Sequence, residues 1–154
     1  MALIHGVITG QVVSVDDPDH QGRVQVKFPF LGGQNESYWA PVATMMAGGN
    51  RGTWFMPEVD DEVLVAFNQD DVAHPFIIGF LWNGKDQPPE TEAENRVIVT
   101  PGGHTVRFED GNSKKVVIKS SSGQTITLDD SDGSITLQGG DRIFKMSNSL
   151  VQIS

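Results

Sequence analysis

The sequence predicts an all-β protein built as two bodies, and three observations support it. The 154 residues include 17 Gly, 8 Pro, 17 Val and 10 Ile. β-Branched side chains fit a pleated sheet and lose freedom in a helix, while Gly and Pro mark turns. Apolar residues fall in short runs bounded by turn clusters rather than at helical spacing. Charge is divided as well: residues 1–95 hold 14 acids and 4 bases, whereas residues 96–154 hold 6 acids and 7 bases. The boundary lies in the polar stretch 84–95, where Pro88-Pro89 makes a stiff connector. The chain is therefore read as a head over 1–83, a linker over 84–95 and a second body over 96–154.

The elements of the head follow in order. Residues 6–15 alternate loosely as a first strand, and Asp16-Asp17-Pro18-Asp19-His20-Gln21-Gly22 supplies turn chemistry with a Gly able to take positive φ. Arg23 to Phe28 alternates strictly, with Val24, Val26 and Phe28 on one side and Arg23, Gln25 and Lys27 on the other. Tyr38 to Met46 reads as a third strand, and Ala47-Gly48-Gly49-Asn50-Arg51-Gly52 as a flexible glycine loop. Thr53 to Met56, Glu62 to Phe67 and Phe76 to Trp82 give the remaining strands. About five strands in this length fit a five-stranded Greek-key barrel of the OB type.

The second body is more regular. Apolar pairs one residue apart recur at Val106/Phe108, Val116/Ile118, Ile126/Leu128, Ile135/Leu137, Phe144/Met146 and Val151/Ile153, with Gly-, Asp- and Ser-rich turn clusters between them. Such a repeat stacks. Each strand offers only two inward residues, and a single ribbon built from them has no opposite wall, so other chains are expected to supply it. Threefold closure is the simplest way to enclose a narrow core without open sheet edges. The expected trimer core is Val106, Phe108, Ile118, Ile126, Leu128, Ile135, Leu137, Phe144 and Met146. The alternative is an antiparallel β-meander packed on the first body.

Composition also excludes. With no Cys there is no disulfide, thiolate metal site or Cys nucleophile. A net charge of −9 repels nucleic acid and anionic lipid, whose binding depends on Lys and Arg displacing counterions. No run of 18 apolar residues occurs, and Met1-Ala2-Leu3-Ile4-His5-Gly6 lacks the basic and apolar regions of a secretory signal. Assembly in a cytoplasm is the expectation.

Individual residues point to structure rather than chemistry. His5, His20, His74 and His104 make no ligand-spaced pair and read as turn or surface residues. Asp130-Ser131-Asp132-Gly133 lacks the first Asp and closing Glu of a calcium loop and reads as a β-turn. The glycine loop lacks the Lys-Ser/Thr of a phosphate loop. The cluster Glu58, Asp60, Asp61 and Glu62 falls in a turn, where solvated acids are the default. Arg23 and Lys27 either pair with these acids or face a partner. Trp39, Trp54, Phe55 and Trp82 read as core or subunit contacts. No cofactor, metal or catalytic residue is expected, and the chain reads as no enzyme.

The run from Gly10 to Pro29, with Asp17-Pro18 and Gln21-Gly22-Arg23-Val24-Gln25-Val26-Lys27-Phe28-Pro29, resembles the signature of contractile-injection spike proteins. These comprise phage baseplate assembly protein V, the VgrG proteins of type VI secretion and the spikes of extracellular injection systems. Tyr38-Trp39-Ala40-Pro41-Val42, Ala47 to Pro57, Glu58 to Phe67 (with Asp60 where Gly is usual), Asp70 to Gly84 and Gly103 to Asp110 are similar to further family segments in order. The resemblance implies an OB head followed by an intertwined triple-stranded β-helix, a trimeric needle driven through a target membrane when a sheath contracts. It further implies a separate hub protein at the head, since no hub domain precedes residue 1, and a PAAR-like tip protein docked at Leu150, Val151 and Ile153. The membrane would be contacted only mechanically, and the chain would belong to a phage tail or injection particle. An OB-fold nucleic-acid-binding protein is the rival function, disfavoured by the acidic head.

Overall fold

A computed structural model describes residues 5–29 and 36–154; the leader reading of Met1–Ile4 lies outside them. The chain forms two compact units, Met1–Gln87 and Pro88–Ser154, divided within the stretch expected as a linker.

In the first unit the strands are β1 (Val7–Ser14), β2 (Arg23–Lys27), β3 (Ala40–Pro41), β4 (Ala47–Gly48), β5 (Arg51–Gly52), β6 (Glu62–Phe67) and β7 (Pro75–Leu81). Five of them make an antiparallel sheet in the order β3-β2-β1-β6-β7. Its edges meet where Val42 bridges Ile77 and the Ala43 N–H donates to the Ile77 carbonyl at 2.8 Å, so the sheet curls into a nearly closed, OB-like barrel. Bulges at Val12/Ser14 and opposite Leu64/Val65 sharpen the twist that closure requires. The strict alternation of β2 and β6 places Val24, Val26, Val63 and Val65 fully inside, with Val12 and Ile77. Burying each such side chain stabilises by roughly 1.5–3 kcal/mol. Gly10 lets β1 approach β2, since a Cβ there would lie 3.3 Å from the Val26 Cβ.

Two expected strands differ. Of Tyr38–Met46 only Ala40–Pro41 is strand, because its bonds are split between two neighbours. The Ser37 hydroxyl takes the Val26 N–H at 3.0 Å, Pro41 has no N–H to give, and from Val42 the chain turns to β7. Thr53–Met56 is irregular, while the glycine loop before it carries the β4–β5 hairpin. That hairpin ties Thr53 back to Met46 (N–H to carbonyl, 3.0 Å) and leaves the following residues no sheet edge to join.

The β1–β2 turn is organised by one buried carboxylate. Asp17, only 6% exposed, accepts N–H bonds from Asp19, Gln21 and Arg23 and a bidentate pair from the Arg23 guanidinium at 3.0 and 2.6 Å. Arg23 also reaches Asp19 at 2.6 Å and lies 6.0 Å from the Trp39 ring centre. The pairing of Arg23 with the 58–62 acids is thereby overturned: nearer acids in its own turn hold it. The guanidinium first, then the backbone N–H groups, holds the Asp17 carboxyl far below its ordinary range.

The second unit is one seven-stranded sheet: β8 (Asn95–Val99), β9 (Thr105–Glu109), β10 (Lys115–Lys119), β11 (Thr125–Asp129), β12 (Ser134–Gly139), β13 (Arg142–Met146) and β14 (Val151–Ile153). Each strand pairs antiparallel with the one before it, so within one chain the strand order is that of a meander. It contains one strand more than the repeat shows, because β8 presents Arg96 and Ile98 where the others present two apolar residues.

Asp17→Asn should lower the melting temperature by several degrees at neutral pH while leaving the second unit's far-ultraviolet signal intact. Because the folded carboxyl is depressed, its stabilisation is complete above the ordinary value of 3.8 and is lost as pH falls below it towards the folded value. The difference between wild type and variant should therefore shrink on acidification below pH 3.8, as thermal melts across that range would show.

Candidate functional site

The second unit has one feature that a folded domain does not tolerate alone. In its cross-strand register Ile98, Val106, Ile118, Ile126, Leu137, Phe144 and Ile153 form one continuous row. Arg96, Phe108, Val116, Leu128, Ile135, Met146 and Val151 form a second row beside it. Paired residues of an antiparallel ladder point to the same side, so both rows occupy one face. All nine residues expected in a trimer core lie on it; Val106 and Phe144 are half-buried and the other seven are exposed. No apolar side chain from 88 to 154 is buried, and Ser134 is the one residue there that is.

The opposite face is dressed for water. Arg107 pairs with Glu90 at 2.6 Å and Glu109 at 3.0 Å, Lys115 with Asp129 at 3.1 Å, and Lys145 with Asp132 at 2.8 Å, with Thr127 opposite Thr136 between them. The Ser131 hydroxyl and then Lys115 bring the Asp129 carboxyl down to about 2. Such ion pairs contribute little to stability. They do fix which side faces solvent. Leu150, Val151 and Ile153, the expected tip-docking residues, are exposed at 55%, 61% and 79%. Val151 and Ile153 extend the two rows on β14, and Leu150 sits in the turn before it.

In the head Phe28 and Phe67 are core, each 8% exposed, but the tryptophans and Phe55 are not. Trp54, Phe55 and Trp82 are exposed at 72%, 57% and 70%, and only Trp39 is half-buried. Trp54 packs on the β1–β2 turn at Gly22, whose φ of 72° and missing side chain are both required, since a Cβ would lie 2.8 Å from the ring. Cavities of about 480 and 720 Å³ flank Trp54; Met46, Arg51 and Phe55 line the first, and Val15, Asp16 and His20 the second. The sequence offered no signal for this ridge, because an aromatic in a short strand is ordinarily core.

The remaining candidates are structural. Asp61 accepts the Glu58 N–H at 2.8 Å, and Asp60, at φ 78°, accepts from the Gln11 side chain at 3.1 Å. The left-handed conformation explains why glycine is usual there. His5 pairs with Asp70, His74 with Asp71, and His104 accepts the Ser121 N–H; with His20 in the β1–β2 turn, the four are exposed and apart from one another in these contacts.

Residues 8–82 match the family model described as the type VI secretion system/phage-baseplate injector OB domain. The chain is 32% identical over 124 residues to the type VI secretion system spike protein VgrG5 of Pseudomonas aeruginosa, covering 72% of this chain and 16% of that protein. Over 75 residues, or 46% of this chain, it is 33% identical to VgrG1a of the same organism (12% of its length) and to VgrG3 of Vibrio cholerae (7% of its length). The matched part of the chain thus spans between 7% and 16% of the length of these relatives. The VgrG5 match exceeds the length of the first unit and so runs into the second. The chain belongs to the VgrG-like spike family, and its first unit is an injector OB domain of the kind shared by type VI secretion systems and phage baseplates.

Proposed function

We propose that the chain is the central spike of a contractile injection machine or phage tail, working as a homotrimer whose second units close around one axis into a triple-stranded β-helical needle. The observation behind this reading is the seven-stranded sheet with two rows that are apolar at every position but Arg96, and with no wall within the unit. A five-residue strand spans about 17 Å, and a triangle with sides of about 17 Å has an inscribed radius of about 5 Å. That is half of the roughly 10 Å at which packed sheets are filled by their side chains. Three such walls therefore enclose a space that two inward residues per strand fill. The outer face of each five-residue strand carries three residues and the inner face two, as suits a closed prism. The needle's ladders and dry core share an axial load, and no reaction step is needed.

The head would seat the spike on a hub protein. A partner with a basic rim around an apolar knob suits the Trp54 ridge, since residues 1–95 carry a net charge of −10. Leu150, Val151 and Ile153 would seat a conical PAAR-like tip protein, whose three similar faces match three copies. The spike would be assembled in the cytoplasm and would meet the target membrane only mechanically. The rival reading as a single-strand-binding OB protein draws on the exposed Trp54 and Phe55, which could stack bases, but Arg51 is the only lysine or arginine lining the two cavities beside them.

Sedimentation should give a trimer. Ile126→Asp or Ile135→Asp, which sets three unpaired carboxylates around the axis at several kcal/mol each, should abolish it. A stable folded monomer of the unaltered chain would reject the reading. In a gel shift at low salt, where counterion release makes weak nucleic-acid binding strongest, single-stranded DNA should not be retarded. Retardation would favour the rival. Changing Leu150, Val151 and Ile153 together to Ser should remove capture of a PAAR-like tip protein without changing the trimer's mass.

A further inference from the structure

The two rows hold 14 positions, two on each of seven strands, and 13 of them are Ile, Val, Leu, Phe or Met. The exception is Arg96, at the β8 end and directly opposite Phe108. A core so repetitive has a weakness. If one chain slides along the axis by two strands, strand direction is preserved and apolar residues again meet apolar residues. Sheets with uniform faces specify register weakly.

We infer that Arg96 is the residue that fixes the axial register of the three chains, an inference that rests on the trimeric reading above. In register, its guanidinium lies at the end of the apolar rows and is satisfied by its own chain. Nη1 donates to the Ala93 carbonyl at 3.3 Å and to the Glu94 carbonyl at 2.5 Å, with the Asp110 carboxylate at 3.8 Å, and the side chain is 64% exposed. A slide of two strands in one direction carries this Arg96 to the level of Val116 and Ile118 of the neighbours. A slide in the other direction leaves the neighbours' Arg96 facing those residues of the sliding chain. Either way a charged side chain that is 64% exposed in register is carried, with its own-chain partners, out of water and against apolar residues of the neighbours, which is the penalty by which one polar residue in a repetitive core selects one alignment. Arg96 is thus a positioning residue of the interface between copies. Charge, rather than guanidinium shape, is what the mechanism needs.

The chain has no Cys, so paired cysteines can report alignment. Ile118→Cys with Ile135→Cys places one thiol in each row, two strands apart. At a strand spacing of about 4.8 Å these are about 10 Å apart along the axis in register, beyond disulfide reach, and level after a slide of two strands. Ile126→Cys with Leu128→Cys lies within one strand and should link neighbouring copies when they are in register. In the unaltered background the second pair should link and the first should not. With Arg96→Leu, links from the first pair should rise at least about tenfold while the trimer's mass is kept, and Arg96→Lys should restore the unaltered pattern. Unchanged linking with Arg96→Leu, or equal slippage with Arg96→Lys, would overturn the assignment. A monomeric mass with neither pair linking would instead reject the trimer itself.

Discussion

Everything distinctive about the second unit follows from one constraint: an apolar face two residues wide and seven strands long must be dried, and nothing within the unit itself dries it. The hydrophobic effect acts on area removed from water, whichever molecule covers it. A barrel meets the requirement by curling, as the first unit does through its bulges and the Val42–Ile77 bridge. The second unit has regular strands of three to six residues with no bulge and cannot curl within so few residues. The two units apply opposite solutions to the same problem. One closes a sheet on itself, and the other, on the trimeric reading proposed above, would leave the closure to symmetry.

The head depends on a different kind of economy. The Asp17 carboxylate gathers three backbone N–H groups and one guanidinium, so a seven-residue turn is held by a single side chain. That turn presents Gly22 as the platform for Trp54. A buried ion pair and an exposed indole are therefore parts of one structure. The Trp54 ring is positioned before any partner arrives, which reduces the conformational entropy that binding must overcome.

How much of this was legible in the sequence depended on how locally each feature is encoded. β2 and β6 could be read almost to the residue, because their alternation is strict and both faces declare themselves. The apolar rows of β9 to β13 were equally plain for the same reason. β3 could not be read, because its length is set by where Ser37 and Val42 send their bonds, which is a tertiary matter. β8 escaped the repeat because Arg96 interrupts its apolar pair, although that interruption is the informative residue of the strand. The exposure of Trp54 had no local sign. Composition suggests core for a tryptophan, and only the fold reveals a glycine beneath it. The partners of Arg23 lay within six residues of it, nearer than the acids in the later turn.

The meander of the second unit has a kinetic corollary. Every strand pairs with its immediate predecessor, so each ladder forms by a short hairpin closure and the sheet can be laid down quickly, strand after strand. On the trimeric reading, drying its face would be a different order of reaction, because it would wait for collisions between chains and so depend on their concentration. Between the two events the chain exposes a ready-made sticky sheet. The dangerous interval in the life of this molecule is therefore its synthesis, when copies are few. On the trimeric reading proposed above, separation of the assembled chains would require two rows to be wetted together, so the assembly would persist far longer than its equilibrium stability alone would suggest.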